Sequence, residues 1–596
     1  MDKEKQDLLN KLNEHLVYIK EKVDSTSRNI CQQNTKTIEE IRSLSADDRA
    51  QFLNIKTQLD KRLEELRDLK GSPYFVKCEI EQDDSKEIVT RYFAKFQFTE
   101  ESIYSWVSPV SSIRFEKPGK ISYRLPNGKL KLVKLISKEE YIIVNGKANF
   151  FSRESIGFPR QIIHQDLLPS PKTGFMLPEI IAQIEKAQDL VVRAHHKGPL
   201  IITGPAGSGK TTLAFHRIAY LLQAPDTKEV FSNGPVVIFV QDGRTKEYFS
   251  YLLPCLGVAN VTMTTFSEWA LNVLGLDNYK HITRYGRNEE DKDIYEYEKL
   301  RILRSRKIPD YNKNPFVSLN SLYKKDLSKD KYGIFLEQKK LKLLDRFDLT
   351  LLLKSYIKKN GNLKFQKNKK DVLYSMILID EFQNYLPEQL MILRDSLDAT
   401  IESIIYVGDI AQQISLGTIR KWQDVEEKIP EERSITLSKV YRNTKKILQY
   451  ILSLGYDISI PNSIKEGVDV KEMKINKIDD QISYVKKIIK KENKKTFGIL
   501  TNSDFCLKKF KSTFSSQKNV YVFFMNESQG VEFDVVFLVG IDRDAFTIKH
   551  IDNRHQEHFE ERVRIQKDLL YVALTRAISE LHILGGDKLS EIFGKI

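Results

Sequence analysis

The stretch that most limits what this chain can fold into is "PLIITGPAGSGKTTLAFHRIAYLL", running from Pro199 to Leu222. Pro199 to Thr203 is a short apolar run suited to a buried parallel strand, and from Leu213 apolar residues recur at helical spacing. Between them Gly204, Gly207 and Gly209 let the backbone curl, so that successive N–H groups point inward beside a helix N-terminus whose dipole favours anions. Ser208 and Thr212 belong to the same cradle. Lys210 is placed to reach the β- and γ-phosphates of a nucleotide, and the Thr211 hydroxyl to ligate Mg²⁺. A glycine turn with a chance lysine needs neither the strand before it nor the helix after it. The complete G-x-x-x-x-G-K-T pattern in its strand–helix setting therefore predicts a site for ATP and Mg²⁺ in an α/β fold.

A phosphate loop alone makes no motor; it needs a neighbouring strand that ends in acids. "SMILIDEFQN" (Ser375 to Asn384) supplies one, with Asp380 placed to hold Mg²⁺ through water and Glu381 to orient and deprotonate an attacking water. The next apolar strand, in "SIIYVGDIAQQIS", carries Asp409 and Gln412 out of its end, where a γ-phosphate would be sensed. Further on, "LSKVYRN" (Leu437 to Asn443), "ESQGVEFDVVFLVG" (Glu527 to Gly540) and "LLYVALTRA" (Leu569 to Ala577) each set an arginine or an acid beside apolar elements. If nucleotide lies between two α/β lobes, Arg442 and Arg576 close on it from the second, and such fingers are worth ~10³–10⁵ in rate. Taken singly, each arginine reads equally as a surface residue.

With 596 residues the chain holds several domains, since single cores stop growing near ~250–300 residues. Residues 1–70 contain no Gly or Pro, and Leu9, Leu12, Leu16, Ile19 and Val23 step by three and four. "SADD" (Ser45 to Asp48) resembles a helix cap, after which Phe52, Ile55, Leu59, Leu63 and Leu66 form a second stripe, ended by Gly71 and Pro73. The simplest arrangement is an antiparallel hairpin with its turn in the polar stretch Asp24 to Leu44 and arms of roughly 35–40 Å. A dimerising coiled coil uses the same stripes, so the oligomeric state stays open. From Tyr74 to about Arg160 the period switches to two, with Asn127-Gly128 and Asn145-Gly146 marking tight turns. The expected division is thus a helical hairpin (1–70), a β-rich module (71–170), a first α/β lobe (171–425, with an insertion near 271–370) and a second (426–596).

The net charge of +14 favours a polyanionic partner, although the lysines are dispersed and "VKKIIKKENKK" (Val485 to Lys495) is equally a solvated helix face. Four separated cysteines without C-x-x-C imply neither a zinc site nor a disulfide framework and suit a reducing cytoplasm. No apolar run reaches ~18 residues, and "MDKEKQDLLNK" lacks a signal-peptide core. The expectation is a soluble cytoplasmic protein without membrane contact.

In combination these segments resemble superfamily 1 helicases of the UvrD/Rep type: "GPAGSGKTT", "DEFQN", "VGDIAQ", "VYRN", "GVEFDVV" and "VALTRA" follow in that order. "GSPYFVKCEI", "WVSPVSSIRF", "IIAQIEKAQDLVVR", "FHRIAYLL" and "YLLPCLGVANVTMTTFSEWA" are similar to the HelD subgroup, whose members act on RNA polymerase. The resemblance implies two RecA-like P-loop NTPase lobes. It implies that Gln188 reads adenine, Tyr441 stacks near the base, Glu532 sits at the nucleotide cleft, Gln412 couples to the γ-phosphate, and Arg442 and Arg576 contact it. Three departures stand out. Ile414, Ser415, Leu416 and Gly417 occupy the place where UvrD-type enzymes carry aromatics that stack on single-stranded DNA. Gln529 replaces the usual lysine before Gly530, and Asn384 replaces an acid. The favoured reading is therefore an ATP-driven remodeller of RNA polymerase. A helicase or translocase on single-stranded nucleic acid, acting in repair or antiviral defence, is the alternative, and a nucleotide-gated binding protein the third reading.

Overall fold

The computed structural model describes residues 2–593 apart from 44–48, 83–84, 126–128, 166–185, 206–207, 232–233, 244, 247–257, 259–260, 411, 438–442, 457, 459, 461–463, 493–494, 518, 530 and 544–555. By contacts the chain forms two units: Met1–Ala194 with His216–Ser232 and Cys255–Val258, and His195–Phe215 with Asn233–Pro254 and Ala259–Ile596.

In the first unit, α1 (Asp2–Ser43) is 42 residues long, ~63 Å at the α-helical rise, and α2 (Arg49–Gly71) follows. The polar stretch from Asp24, expected to hold the turn, instead continues α1 as far as Ser43. It contains no Gly or Pro, and polar side chains alone do not end a helix. The cap expected at Ser45 to Asp48 lies outside the described residues. Lys70 binds Asp24 at 2.6 Å and Asn34 binds Asp60 at 2.6 Å, so the two helices run antiparallel. Leu12, Leu16, Ile19 and Val23 of α1 are buried with Leu66, Leu69, Tyr74, Phe98, Tyr141 and Phe151, which consumes the apolar stripe within the chain.

The period-two region is a sheet of β1 (Val76–Gln82), β2 (Ile88–Ala94), β3 (Ile103–Ser105), β4 (Gly119–Arg124), β5 (Leu130–Val144), β6 (Lys147–Ser155) and β7 (Phe158–Gln165), in the order β3-β2-β1-β5-β6-β7 with β4 on β5. Asn145 and Gly146 join β5 to β6 with φ of 51° and 75°, the primed geometry that matches strand twist. Asn127-Gly128 lies outside the described residues. Against this module sits α3 (Lys186–Arg193). Arg193 donates to Asp189 (2.8 Å), to the Trp106 carbonyl (2.9 Å) and to Ser111 Oγ (2.8 Å). Arg217 is fully buried and donates to the carbonyls of Val191, Val192 and Ala194 at 2.9, 3.2 and 2.7 Å, satisfying the acceptors at the end of α3.

The second unit carries two wholly parallel sheets. The first comprises β8 (Gly198–Thr203), β9 (Val236–Val240), β10 (Val261–Thr265), β11 (Met376–Asp380), β12 (Ser403–Val407) and β13 (Ser434–Thr436), ordered β10-β9-β11-β12-β8-β13. β8 leads into α4 (Lys210–Gln223). β9, β11 and β12 are buried at every residue, as strands covered on both faces must be. The second sheet comprises β14 (Lys471–Lys474), β15 (Phe497–Thr501), β16 (Val520–Phe524), β17 (Phe533–Val539) and β18 (Ala577–Gly585), ordered β14-β18-β17-β15-β16. It is flanked by α10 (Ile478–Lys491), α11 (Asp504–Phe514) and α12 (Gln556–Leu574).

Between β10 and β11 lie α5 (Phe266–Leu274), α6 (Glu289–Arg304), α7 (Pro315–Asp326), α8 (Lys329–Lys340) and α9 (Arg346–Asn360). Leu300, Phe316, Leu319, Tyr323, Phe335 and Phe347 of these helices share one core with Val237, Phe239, Ile377 and Ile379 of the first sheet. Within it Lys299 is wholly buried, its ammonium 2.6 Å from Asp345 and 2.8 Å from Asp348. Asp345 also caps α9, and Tyr323 donates to Asp348 at 2.7 Å.

Candidate active site

Asp380 pairs in register with Val407, and Val407 with Ile202. The carboxyl ends of β11, β12 and β8 therefore finish at one level, the edge at which parallel sheets present their ligand-binding loops. From β8 comes the phosphate loop, with Gly204 and Gly209 both at positive φ. Ser208 is 1% exposed and its hydroxyl finds no partner among the described residues. Lys210 donates to the carbonyls of Gly204 (2.7 Å) and Pro205 (3.0 Å), and the Thr211 hydroxyl donates to Asp380 at 2.9 Å. Thr212 is half-buried beside them, while Gly207 lies outside the described residues.

Glu381 follows β11 in the left-handed region, at φ 49° and ψ 44°, a conformation that costs a non-glycine residue about 1–3 kcal/mol and is retained where the surroundings enforce it. Gln383 donates to its carboxylate at 2.6 Å. Gln383 is itself fixed by the Asp409 backbone N–H, which donates to Gln383 Oε1 at 3.0 Å, and Gln412 donates to the Asp409 carboxylate at 2.8 Å. Gly408 makes this possible, because at φ 156° a Cβ there would lie 2.0 Å from Gln383 Oε1. The result is a line of hydrogen bonds from the buried Gln412 through the half-buried Asp409 and its backbone N–H to the buried Gln383 and the half-buried Glu381 carboxylate.

Burial, and then the neighbouring Glu381, push the Asp380 carboxyl well above its usual range. Burial lowers the Lys210 ammonium, against the pull of Glu381, Asp409 and Asp380, and Arg576 lowers it further. Both charges thus sit where burial opposes ionisation. A dication and a polyphosphate relieve both at once. The hard oxygen donors of Asp380 and Thr211 fit Mg²⁺, and Ser208, Lys210 and the helix N-terminus fit phosphate oxygens. The residues present fit the nucleotide and its metal.

Arg576 is close enough to act on Lys210, while its guanidinium donates to the carbonyls of Val572 (2.9 Å) and Val531 (3.3 Å). Glu532 is half-buried just before β17, whose first residue donates its N–H to the Arg576 carbonyl at 3.0 Å. Tyr441 and Arg442 lie outside the described residues. The next residue, Asn443, donates to the carbonyls of Thr575 (3.0 Å) and Ala577 (2.7 Å), on either side of Arg576. Nothing in the sequence marked Asn443, since Arg442, Thr444 and Lys445 around it read as a polar surface stretch; only its burial shows that it must find partners. Gln188 lies half-buried on α3, in the first unit.

Beside this site runs a cleft of about 2020 Å³, lined by Gln241, Thr265, Phe266, Tyr385, Ile414, Ser503 and Arg543 among others. Its walls carry eight carboxylates against six lysines and arginines, so it is not the basic groove that a purely electrostatic grip on nucleic acid requires. Two of its arginines are already engaged: Arg562 binds Asp293 (2.5 Å) and Glu296 (2.9 Å), and Arg284 binds Glu296 at 2.9 Å and also Asp293. Burial opposes ionisation of Glu296, but Arg284, Arg562 and Arg346 prevail and hold it down to about 2.

The loop after Gln412 is fixed into this wall. Ile414 donates its N–H to Asn384 Oδ1 at 3.1 Å, Arg346 donates to the Leu416 carbonyl at 2.5 Å, and Gly417 donates its N–H to Glu561 at 3.0 Å. Leu416 is 1% exposed. Gly417 has φ 74°, and a Cβ there would meet Leu300 of α6 at 2.5 Å. The segment that lacks stacking aromatics in sequence is a clasp between the inserted helices and α12.

Residues 188–418 match the family model described as "AAA domain". The chain is similar to the ATP-dependent DNA helicase PcrA of Staphylococcus epidermidis, 24% identical over 45% of this chain and 39% of that protein. It is likewise similar to PcrA of Staphylococcus aureus, 25% identical over 42% of this chain and 37% of that protein. It thus spans well under half the length of these relatives. The Hef helicase domain of Pyrococcus furiosus aligns over 67% of this chain with 10% identity and a TM-score of 0.24, too remote to carry an argument. No described helix is long and apolar enough to cross a membrane. The family match thus takes in the phosphate loop, Asp380, Glu381 and Gln412 but neither Arg442 nor Arg576.

Proposed function

We propose that the chain is an ATP-driven motor of two RecA-like lobes that remodels a nucleic-acid machine, with RNA polymerase the favoured partner. The first lobe is built on the sheet β8–β13 and runs past the expected boundary at 425/426, because Ser434–Thr436 pairs with β8, and the second is built on the sheet β14–β18. The observation that carries this reading is the clasped loop from Ile414 to Gly417: its backbone is bound by Asn384, Arg346 and Glu561, Leu416 is buried, and the half-buried Ile414 is aliphatic, so the loop offers no aromatic platform for base stacking. The hydrolytic residues, by contrast, are all present. Ser208 and Lys210 would bind the phosphates and Gln188 and Tyr441 the base. Thr211 and Asp380 would hold Mg²⁺, which when bound neutralises phosphate charge. Glu381, oriented by Gln383, takes the proton of the attacking water. Gln412 reports on the γ-phosphate through Asp409, and Arg442 and Arg576 stabilise the transferring phosphoryl group. The antiparallel hairpin of residues 1–70, seated on its β-rich module and ~63 Å along its longer helix, is the element suited to reach into a partner.

The PcrA likeness favours a second reading, a helicase or translocase on single-stranded DNA or RNA. One comparison separates the two. Tagged protein should recover RNA polymerase from lysate, and deletion of Met1 to Leu69 should abolish recovery while ATP hydrolysis persists. ATP turnover that rises many-fold with single-stranded DNA, together with unwinding of a tailed duplex, would overturn the remodelling reading in favour of the second.

A further inference from the structure

We infer that Asn384 is a positioning residue that gears the Glu381 carboxylate to the second lobe through a neutral amide contact with Gln529; this rests on the ATP-hydrolysing reading. Asn384 uses its whole amide. One Nδ2 hydrogen goes to Gln241 Oε1 at 2.8 Å and the other to Gln529 Oε1 at 2.8 Å, while Oδ1 accepts the Ile414 N–H at 3.1 Å. Three separate segments meet on this one side chain: the residue following β9, the loop after Gln412, and the segment leading into β17.

With both glutamines presenting Oε1, a carboxylate has no hydrogen to offer either and pairs with them only if both amides turn over, while an apolar residue has nothing for any of the three. Asn384 and Gln529 are 8% and 6% exposed, so the contact is shielded from water. Asn384 is also the next residue after Gln383 in one 3-10 turn, Phe382–Asn384. A shift of Gln529 that turns Asn384 therefore turns the residue that holds Glu381.

Gln529 Nε2 has no partner among the described residues, so the second lobe grips Asn384 through a single oxygen. A neutral bond of this kind is about half as strong as a charge-assisted one and is scarcely screened by salt, which suits a contact that must be broken and remade. Asn384 and Gln529 are also two of the positions at which the sequence departs from the helicase pattern, an acid and a lysine being replaced by two amides. The departures compensate one another in space.

A double-mutant cycle tests this. Asn384→Asp alone sets a carboxylate against two glutamine oxygens and should lower kcat for ATP by about tenfold or more with KM within about threefold. Gln529→Lys alone should lower it less. The double variant N384D/Q529K should recover to within about threefold of the parent, and its turnover alone should become salt-dependent, because an ion pair then replaces the amides. Losses in the single variants that simply multiply in the double would overturn the inference, as would single variants that alter thermal stability but not kcat. Should the parent itself fail to hydrolyse ATP, the enzymatic reading falls. The same four proteins are then compared by the change in distance between fluorescent labels on the two parallel sheets on adding ADP–beryllium fluoride. Coupling between the two positions in that signal still sustains the gear, and its absence overturns it.

Discussion

Two buried clusters of ionisable groups lie in the second unit, and they bury charge in opposite ways. In the inserted helices, Lys299 faces Asp345 and Asp348 at 2.6 and 2.8 Å. Burial alone would lower its pKa, but the two carboxylates outweigh burial and raise it, while burial and then Asp348 still push Asp345 up to about 6 against the pull of Lys299, so it is the cation that is fully compensated. At the ends of β8 and β11, Lys210 donates to the neutral carbonyls of Gly204 and Pro205, and Asp380 accepts from the Thr211 hydroxyl and the Glu381 backbone, with no cation within hydrogen-bonding distance among the bonds described. There burial wins on both sides, lowering Lys210 and raising Asp380. A compensated cluster is a piece of architecture, and one left short of compensation is prepared for a ligand. Degree of burial does not separate them; the balance of partners does.

The sharpest way to break the comparison is to remove one member from each cluster. Glu381→Gln should retain ATP binding and thermal stability while lowering kcat by about 10²–10⁴, read by steady-state hydrolysis beside a nucleotide-binding titration. Lys210→Ala should abolish binding itself. Unchanged turnover in Glu381→Gln would remove the catalytic assignment. Lys299→Met should behave in the reverse manner, costing about 3–5 kcal/mol in denaturant unfolding because two carboxylates are left buried and unpaired, with KM for ATP unchanged in the folded fraction. Replacing Asp348 by Asn in the same chain should return part of that loss. If Lys299→Met leaves stability untouched but alters KM, the two clusters are not different in kind.

What could be read from the sequence follows the same divide. The phosphate loop and the strand ending at Asp380 and Glu381 were legible because their chemistry is written in consecutive residues, and Asn145-Gly146 because a two-residue turn carries its own backbone signature. The Lys299 cluster was not, since its partners lie 46 and 49 residues away and no local spacing announces them. Asp345 and Asp348 read at most as a helix cap. The pairing of Asn384 with Gln529 spans 145 residues, so each substitution looked like an isolated loss until the fold brought them together. The turn of the hairpin was misplaced for a different reason: a polar run was taken for a break, whereas only Gly, Pro or a capping signal stops a helix.

A smaller effect probes how the two regions are joined. Gly417 sits at φ 74° with the Leu300 side chain against it, so Gly417→Ala imposes both a backbone penalty and an overlap with the inserted helices. The expected loss is about 1–3 kcal/mol. Leu300→Ala in the same chain should relieve the overlap but not the backbone cost, so thermal unfolding of the double variant should show partial recovery. Additive losses would mean that Leu300 does not press on the clasp.

The smallest expected effect belongs to a third manner of burial, in which the group stays neutral. His582 in β18 is 1% exposed, with Nδ1 2.9 Å from the Tyr484 hydroxyl and Nε2 3.5 Å from Glu580. Burial and then Lys471 lower it to about 4, against the weaker pull of Glu580 and Glu492. Because the folded value lies below the unfolded one, near 6.5, the unfolded chain takes up the proton first on acidification. The stability contributed by neutral His582 is therefore complete above about pH 7 and is lost as pH falls from about 6.5 toward 4, amounting to roughly 1 kcal/mol by pH 5.5. His582→Asn removes the titration without adding charge, so the difference in unfolding free energy between parent and variant should shrink in that window and be constant above it. A difference that is flat from pH 7.5 to 5 would show that the folded and unfolded chains bind the proton equally, so that burial does not hold His582 neutral; one that grows as pH falls would show the imidazole protonated in the fold and move His582 to the compensated class beside Glu580.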